Sequence, residues 1–144
     1  MKLSKGQIID LDVTSLAYGG MGISYYNDIV VFVKGGIPGE SLKARIYKKK
    51  KNYLEAHPVE QIKKSKKSVI PHCEHFGVCG GCSFQNLNYD EQLHQKNIQV
   101  KDLFTRVGGI QNPPINNIIG CDEQYNYRNK MEFSYSSNKW IPNL

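Results

Sequence analysis

Asn27-Asp28-Ile29-Val30-Val31-Phe32-Val33-Lys34-Gly35-Gly36-Ile37-Pro38-Gly39 sets a five-residue apolar run between two turn-forming clusters. A run of that length, rich in β-branched residues and bounded by Asn, Asp, Gly and Pro, reads as a buried strand rather than a helix. The same reading extends to both sides. Upstream, Ile9, Leu11 and Val13 alternate with Ile8, Asp10 and Asp12, the period of a half-buried strand, and residues 18–23 are turn-rich. Downstream, strands are expected over residues 40–47 and 53–62, with Pro58 at an edge or bulge. Short strands with turns at this spacing predict a small closed β-barrel over residues 1–62.

Beyond it, Lys63-Lys64-Ser65-Lys66-Lys67 opens a basic connector, residues 63–72, and residues 73–144 read as a partial α/β domain. Asn88 with Glu91 three residues on marks a helix start. Tyr89, Leu93, Val100, Phe104 and Val107 then recur at helical spacing until Gly108-Gly109, predicting an amphipathic helix of about five turns. After Pro113-Pro114, a short strand is expected over 115–120. A second is expected over 130–136, turning at Ser137-Asn138 into a third. Leu144 falls inside that returning strand, so the chain is expected to be the front portion of a longer protein.

Net charge is +6, and it is unevenly placed. Residues 1–67 hold 13 Lys and Arg against 6 Asp and Glu, and residues 68–144 hold 6 against 7. A positive half of this kind suits a polyanion, because neutralising phosphates releases condensed counterions; a solubilising lysine face is the plainer alternative. With 40% hydrophobic and 22% charged residues the composition is that of a globular protein, a monomer is expected, and no apolar stretch approaches the length of a membrane span. Asp10 and Asp12 interrupt the only candidate signal-peptide core, so a cytoplasmic location is expected.

In a reducing compartment four cysteines are not expected to form structural disulfides. Cys73-x5-Cys79-Gly80-Gly81-Cys82 places three thiols within ten residues, and the two glycines let the backbone curl between the last two. An iron-sulfur cluster and zinc are both open readings. A first gap of five fits a zinc ribbon poorly, but His72 or His75 could add a nitrogen ligand, and three inert cysteines remain a third possibility.

Pro71-His72-Cys73 through Cys79-Gly80-Gly81-Cys82-Ser83-Phe84-Gln85-Asn86-Leu87, followed by Tyr89, Gln92 and Lys96, resembles the cluster region of the TRAM-bearing RNA uracil-5 methyltransferases. Gly19-Gly20-Met21-Gly22-Ile23, Val30 to Val33 and Gly35-Gly36-Ile37-Pro38-Gly39-Glu40 resemble the TRAM domain, an OB-like RNA-binding barrel, and Tyr127-Arg128-Asn129-Lys130-Met131-Glu132-Phe133 is similar to a further family segment. The resemblance implies an OB-like TRAM barrel followed by part of an iron-sulfur domain, with Cys73, Cys79 and Cys82 as three ligands of a [4Fe-4S] cluster. It also implies that the fourth ligand lies past Leu144, with Cys121 out of the family's order. Methyl transfer from S-adenosylmethionine to C5 of uracil, through an attacking cysteine and a general base, belongs in that family to a C-terminal domain. The implied partner is RNA, ribosomal ahead of transfer RNA. A non-catalytic TRAM module is the alternative. The radical methylthiotransferases, which also pair TRAM with iron-sulfur chemistry, use Cys-x3-Cys-x2-Cys and place TRAM last.

For RNA contact the expected residues are Lys48, Lys49, Lys50 and Lys51, flanked by Tyr47 and Tyr53, because bases stack on tyrosine while lysines follow phosphate. Arg128 and Lys130 join them. A solvated hairpin turn explains the four lysines almost equally well.

Overall fold

The structure, a computed structural model, describes residues 3–130 together with 132, 135, 137 and 138. Six strands, β1 (Ile8–Asp12), β2 (Ser15–Leu16), β3 (Gly22–Tyr26), β4 (Ile29–Val33), β5 (Ser41–Lys49) and β6 (Tyr53–Lys63), form one sheet in the order β1-β5-β6-β4-β3-β2. All pairings are antiparallel except β4 with β6. The alternation read from the sequence holds: Ile9, Leu11 and Val13 are buried while Ile8, Asp10 and Asp12 face out. Val31, Val33, Leu42, Ala44, Ile46, Leu54 and Ala56 join them in the core, each at 2% exposure or less. Burying one such Val, Leu or Ile side chain contributes roughly 1.5–3 kcal/mol.

Local chemistry sets the bends. Asn27 and Asp28 both take left-handed backbone, φ 47° and 62°, and Tyr26 pairs with Ile29 across them. That is the two-residue hairpin turn whose twist matches the flanking strands. Part of the stretch expected as turn, residues 22–23, is strand, because Gly22 and Ile23 pair with Val33 and Phe32. The β5–β6 hairpin carries three register shifts, one falling at Pro58, which cannot donate to a ladder.

The expected closed barrel is corrected to a rolled sheet whose ladder stays open, because β1 and β2 stand at its two ends and are not paired with each other. They are nonetheless consecutive in the chain. Val13 N–H donates to the Glu40 carbonyl at one end of the sheet, and Thr14 N–H to the Ile23 carbonyl at the other, so residues 8–16 form one bent segment serving both edges.

Past β6 the expected connector is anchored. Ser65 is buried and its hydroxyl donates to the Pro38 carbonyl at 2.6 Å, while Ser68 forms an isolated antiparallel bridge with Leu87. Leu87, with Phe84 against it, completes a second small core with Leu16 and Ile37.

Helix α1 (Tyr89–Asp102) begins where Asn88 predicts: the Asn88 Oδ1 accepts from Glu91 N–H at 2.9 Å. Glu91 does not reach back to close the capping box; its carboxylate turns to Lys67 and Gln95. The final turn, Leu103–Val107, is π-helical and ends at Gly108. The expected apolar face is corrected: α1 docks through polar Glu91 and Gln95, while Val100, Leu103, Phe104 and Val107 are exposed. No strand forms over residues 115–120, for which the described residues supply no ladder partner. After Lys63 the described residues thus hold this helix and irregular chain, without the sheet of an α/β domain. Met131, Phe133, Ser134, Ser136 and residues 139–144, with most of the expected terminal hairpin, lie outside the described residues.

Candidate nucleic-acid interface and cysteine loop

Strand parity that buries Val31, Leu54 and Ile46 forces their neighbours outward. Tyr25 pairs with Val30 and Val30 with Tyr53; Phe32 pairs with Glu55 and His57 with Arg45. The outer face therefore carries an aromatic strip across four strands. Phe32 and Tyr53 meet edge to face at 5.5 Å, Tyr47 stacks on His57 at 5.8 Å, and Tyr25 is 60% exposed.

The four lysines of the β5–β6 hairpin divide. Lys48 Nζ lies 2.6 Å from Glu55 Oε1, and Lys49 Nζ donates to the Leu3 carbonyl at 2.6 Å. Lys50 and Lys51 occupy the exposed turn and make no ion pair among the described residues. Lys48 and Tyr47 both reach Glu55. Their hydrogen bonds hold its carboxyl below the usual carboxylate range, while burial, then the Glu55 hydrogen bond and charge, push the Tyr47 phenol up to about 12. Lys43 is paired with Glu60 at 2.8 Å. Arg45 joins Lys50 and Lys51 as an exposed cation without an ion pair among the described residues. Tyr25, Phe32, Arg45 and His57 were not among the expected contacts; strand parity was the signal that could have found them.

Arg128 and Lys130 sit on exposed irregular chain. Lys130 Nζ is 3.3 Å from Glu132, and neither residue shares a hydrogen bond or ion pair with the sheet among the described residues.

Cys73, Cys79 and Cys82 occupy a loop closed at its base by the Ser68–Leu87 bridge and by Val69 N–H donating to the Asn86 carbonyl at 3.0 Å. Asn86 Nδ2 donates to the Gly35 carbonyl at 3.2 Å, mounting that base on the sheet. Cys73 is half-buried, and Cys79 and Cys82 are exposed. Gly81 N–H donates to the Cys79 sulfur at 3.4 Å and Gln85 Nε2 to the Cys82 sulfur at 3.2 Å. His72 packs on Tyr125, and His75 lies 3.4 Å from Glu74. Cys121 is exposed, its N–H donating to the Tyr89 hydroxyl. Among the described residues no three of His, Cys, Asp and Glu gather closely enough to hold a metal ion. None of the described helices is long and apolar enough to cross a membrane.

Comparison with known proteins accounts for the sheet. Residues 2–59 match the TRAM domain family. They belong to it. These residues and those after them are together similar to three bacterial proteins named "Uncharacterized RNA methyltransferase". The protein of Bacteroides thetaiotaomicron is 41% identical over 89% of this chain and 28% of its own length. That of Caldanaerobacter subterraneus subsp. tengcongensis is 39% identical over 92% and 29%, and one from Clostridium tetani 36% over 96% and 30%. The chain thus spans less than a third of these curated relatives. A solved structure of a conserved protein from Methanococcus maripaludis covers 40% of this chain and 81% of its own at 23% identity, with a TM-score of 0.38, too slight a likeness to carry weight. The similarity to proteins named RNA methyltransferases thus runs along nearly the whole sequence, and the TRAM match covers its first part.

Proposed function

We propose that this chain is the RNA-holding and cysteine-bearing part of an S-adenosylmethionine-dependent RNA uracil-5 methyltransferase. The observation that carries the reading is the similarity, over 89% to 96% of the chain, to proteins named RNA methyltransferases. The outer face supports it: Tyr25, Tyr53 and Phe32 offer aromatic surfaces for unstacked bases, and Arg45, Lys50 and Lys51 offer charge for phosphate. Methyl transfer is assigned to protein outside these 144 residues, and ribosomal RNA is preferred to transfer RNA as substrate. Phosphate contacts of the kind available here position RNA without selecting a uridine.

Within this reading Cys73, Cys79 and Cys82 hold a [4Fe-4S] cluster. Their donor type suits a soft metal, since three thiols share one loop and N–H groups point at two of the sulfurs; the three are not gathered in the structure, so the loop would draw them together on binding. When bound, such a cluster supplies metal–thiolate bonds that cross-link the loop.

The test has two arms. Fluorescence titration of the chain with RNA fragments should give saturable binding, weakened about 5- to 100-fold by Tyr25→Ala with Tyr53→Ala, the range of a lost stacking platform. The whole protein, incubated with labelled S-adenosylmethionine and total RNA, should place label on C5 of uracil. Failure of the chain to bind RNA, or label at another position, overturns the assignment.

A further inference from the structure

Gln85 touches two of the three thiol-bearing residues at once. Its Oε1 accepts from Cys73 N–H at 3.0 Å, and its Nε2 donates to the Cys82 sulfur at 3.2 Å. The amide is thereby used at both ends. Its own backbone sits at the fixed base of the loop, one residue before Asn86, which reaches the Gly35 carbonyl, and two before Leu87, which is 1% exposed. The first and third cysteines are thus tied to each other through a side chain standing on the sheet.

We propose that Gln85 is a positioning residue for the cysteine loop, holding Cys73 and Cys82 together and keeping its hydrogen bond to the Cys82 sulfur when that sulfur binds a soft metal. The inference rests on the reading above that these thiols are metal ligands. A hydrogen bond to a ligating thiolate draws charge off sulfur, and partners of this kind orient ligands and tune the metal they hold. The two ends of the amide can be separated by substitution. Leucine at 85 offers neither bond. Glutamate keeps an acceptor for Cys73 N–H and has no donor for Cys82.

The chain is titrated anaerobically with cobalt(II), whose thiolate charge-transfer absorption reports both affinity and sulfur charge. Amide hydrogen exchange at Cys73 is followed in the metal-free protein. Gln85→Leu should bind cobalt roughly 10- to 100-fold more weakly, with the band moved to lower energy and Cys73 exchange accelerated. Gln85→Glu should keep the slow Cys73 exchange and still show the band shift. A purely structural role would alter folding without moving the band. Wild-type affinity, band and exchange in Gln85→Leu overturn the proposal. If the unsubstituted chain binds neither cobalt nor reconstituted iron and sulfide, the metal reading falls, and the Cys73 exchange of Gln85→Leu separately decides whether the clamp exists.

Discussion

Tyr47 has left its usual titration range because burial disfavours its anion and Glu55 accepts its proton-bearing hydroxyl. Its folded value is raised, to about 12, above an unfolded value near 10. The stabilisation is therefore complete below about pH 10 and is lost as pH climbs toward 12. Tyrosinate absorbance should show one phenol titrating late, and Glu55→Gln should bring it only part-way back, since burial remains. Gly22 is fixed by space rather than by backbone angle. A Cβ there would lie 2.7 Å from the Gly36 carbonyl oxygen and 2.9 Å from Val13 Cγ1. Gly22→Ala should cost about 1–3 kcal/mol, the range for forcing an extra methyl into packed surroundings, measured as a lower urea midpoint with unchanged slope.

Helix α1 covers the β2 edge with glutamines. Gln95 Oε1 accepts from Leu16 N–H at 3.1 Å, and Gln99 Nε2 donates to the carbonyls of Leu16 and Ala17. Gln95 is held in turn by Glu91, and Glu91 by Lys67 at 2.7 Å. Gln95→Ala should cost about 1–3 kcal/mol by leaving a buried N–H without its partner, and urea unfolding of the chain with and without the change would measure it. This contact explains why the helix was legible and its docking was not. Asn88 and the glycines announce where a helix starts and stops. A glutamine that reads as solvent-facing becomes the inward residue only because an edge strand, remote in sequence, presents unpaired backbone to it. The strands were legible for the opposite reason: the alternation of Ile9, Leu11 and Val13 is itself the cause of their burial. The outer aromatic strip was partly legible, since Tyr47 and Tyr53 stand beside lysines. Tyr25 and His57 join them only through pairings of β3 with β4 and β5 with β6.

For the whole molecule, the charge of residues 1–67 sets the reach of the interaction. Part of it is spent internally, on Glu55, Glu60 and Glu91. RNA affinity should fall with rising salt by about 0.7 in logarithmic slope per phosphate neutralised on a single strand. Replacing Lys50 and Lys51 together should flatten that slope. Replacing Lys48, already paired with Glu55, should change it less. Affinity measured at several salt concentrations separates the two, and a slope unmoved by loss of Lys50 and Lys51 would place the phosphate track elsewhere.

The glutamine-covered edge also bears on how the sheet can be divided. A polypeptide cut at residue 59, where the TRAM match ends, discards the last four residues of β6 and the whole of α1. Leu16 then presents a bare amide and carbonyl at an accessible margin, a template on which a second copy can add a strand. Such a piece should self-associate as its concentration rises, with larger species on gel filtration. Extending it to Gly108 should restore a single species, which makes the helix the element that keeps the small sheet from pairing with itself.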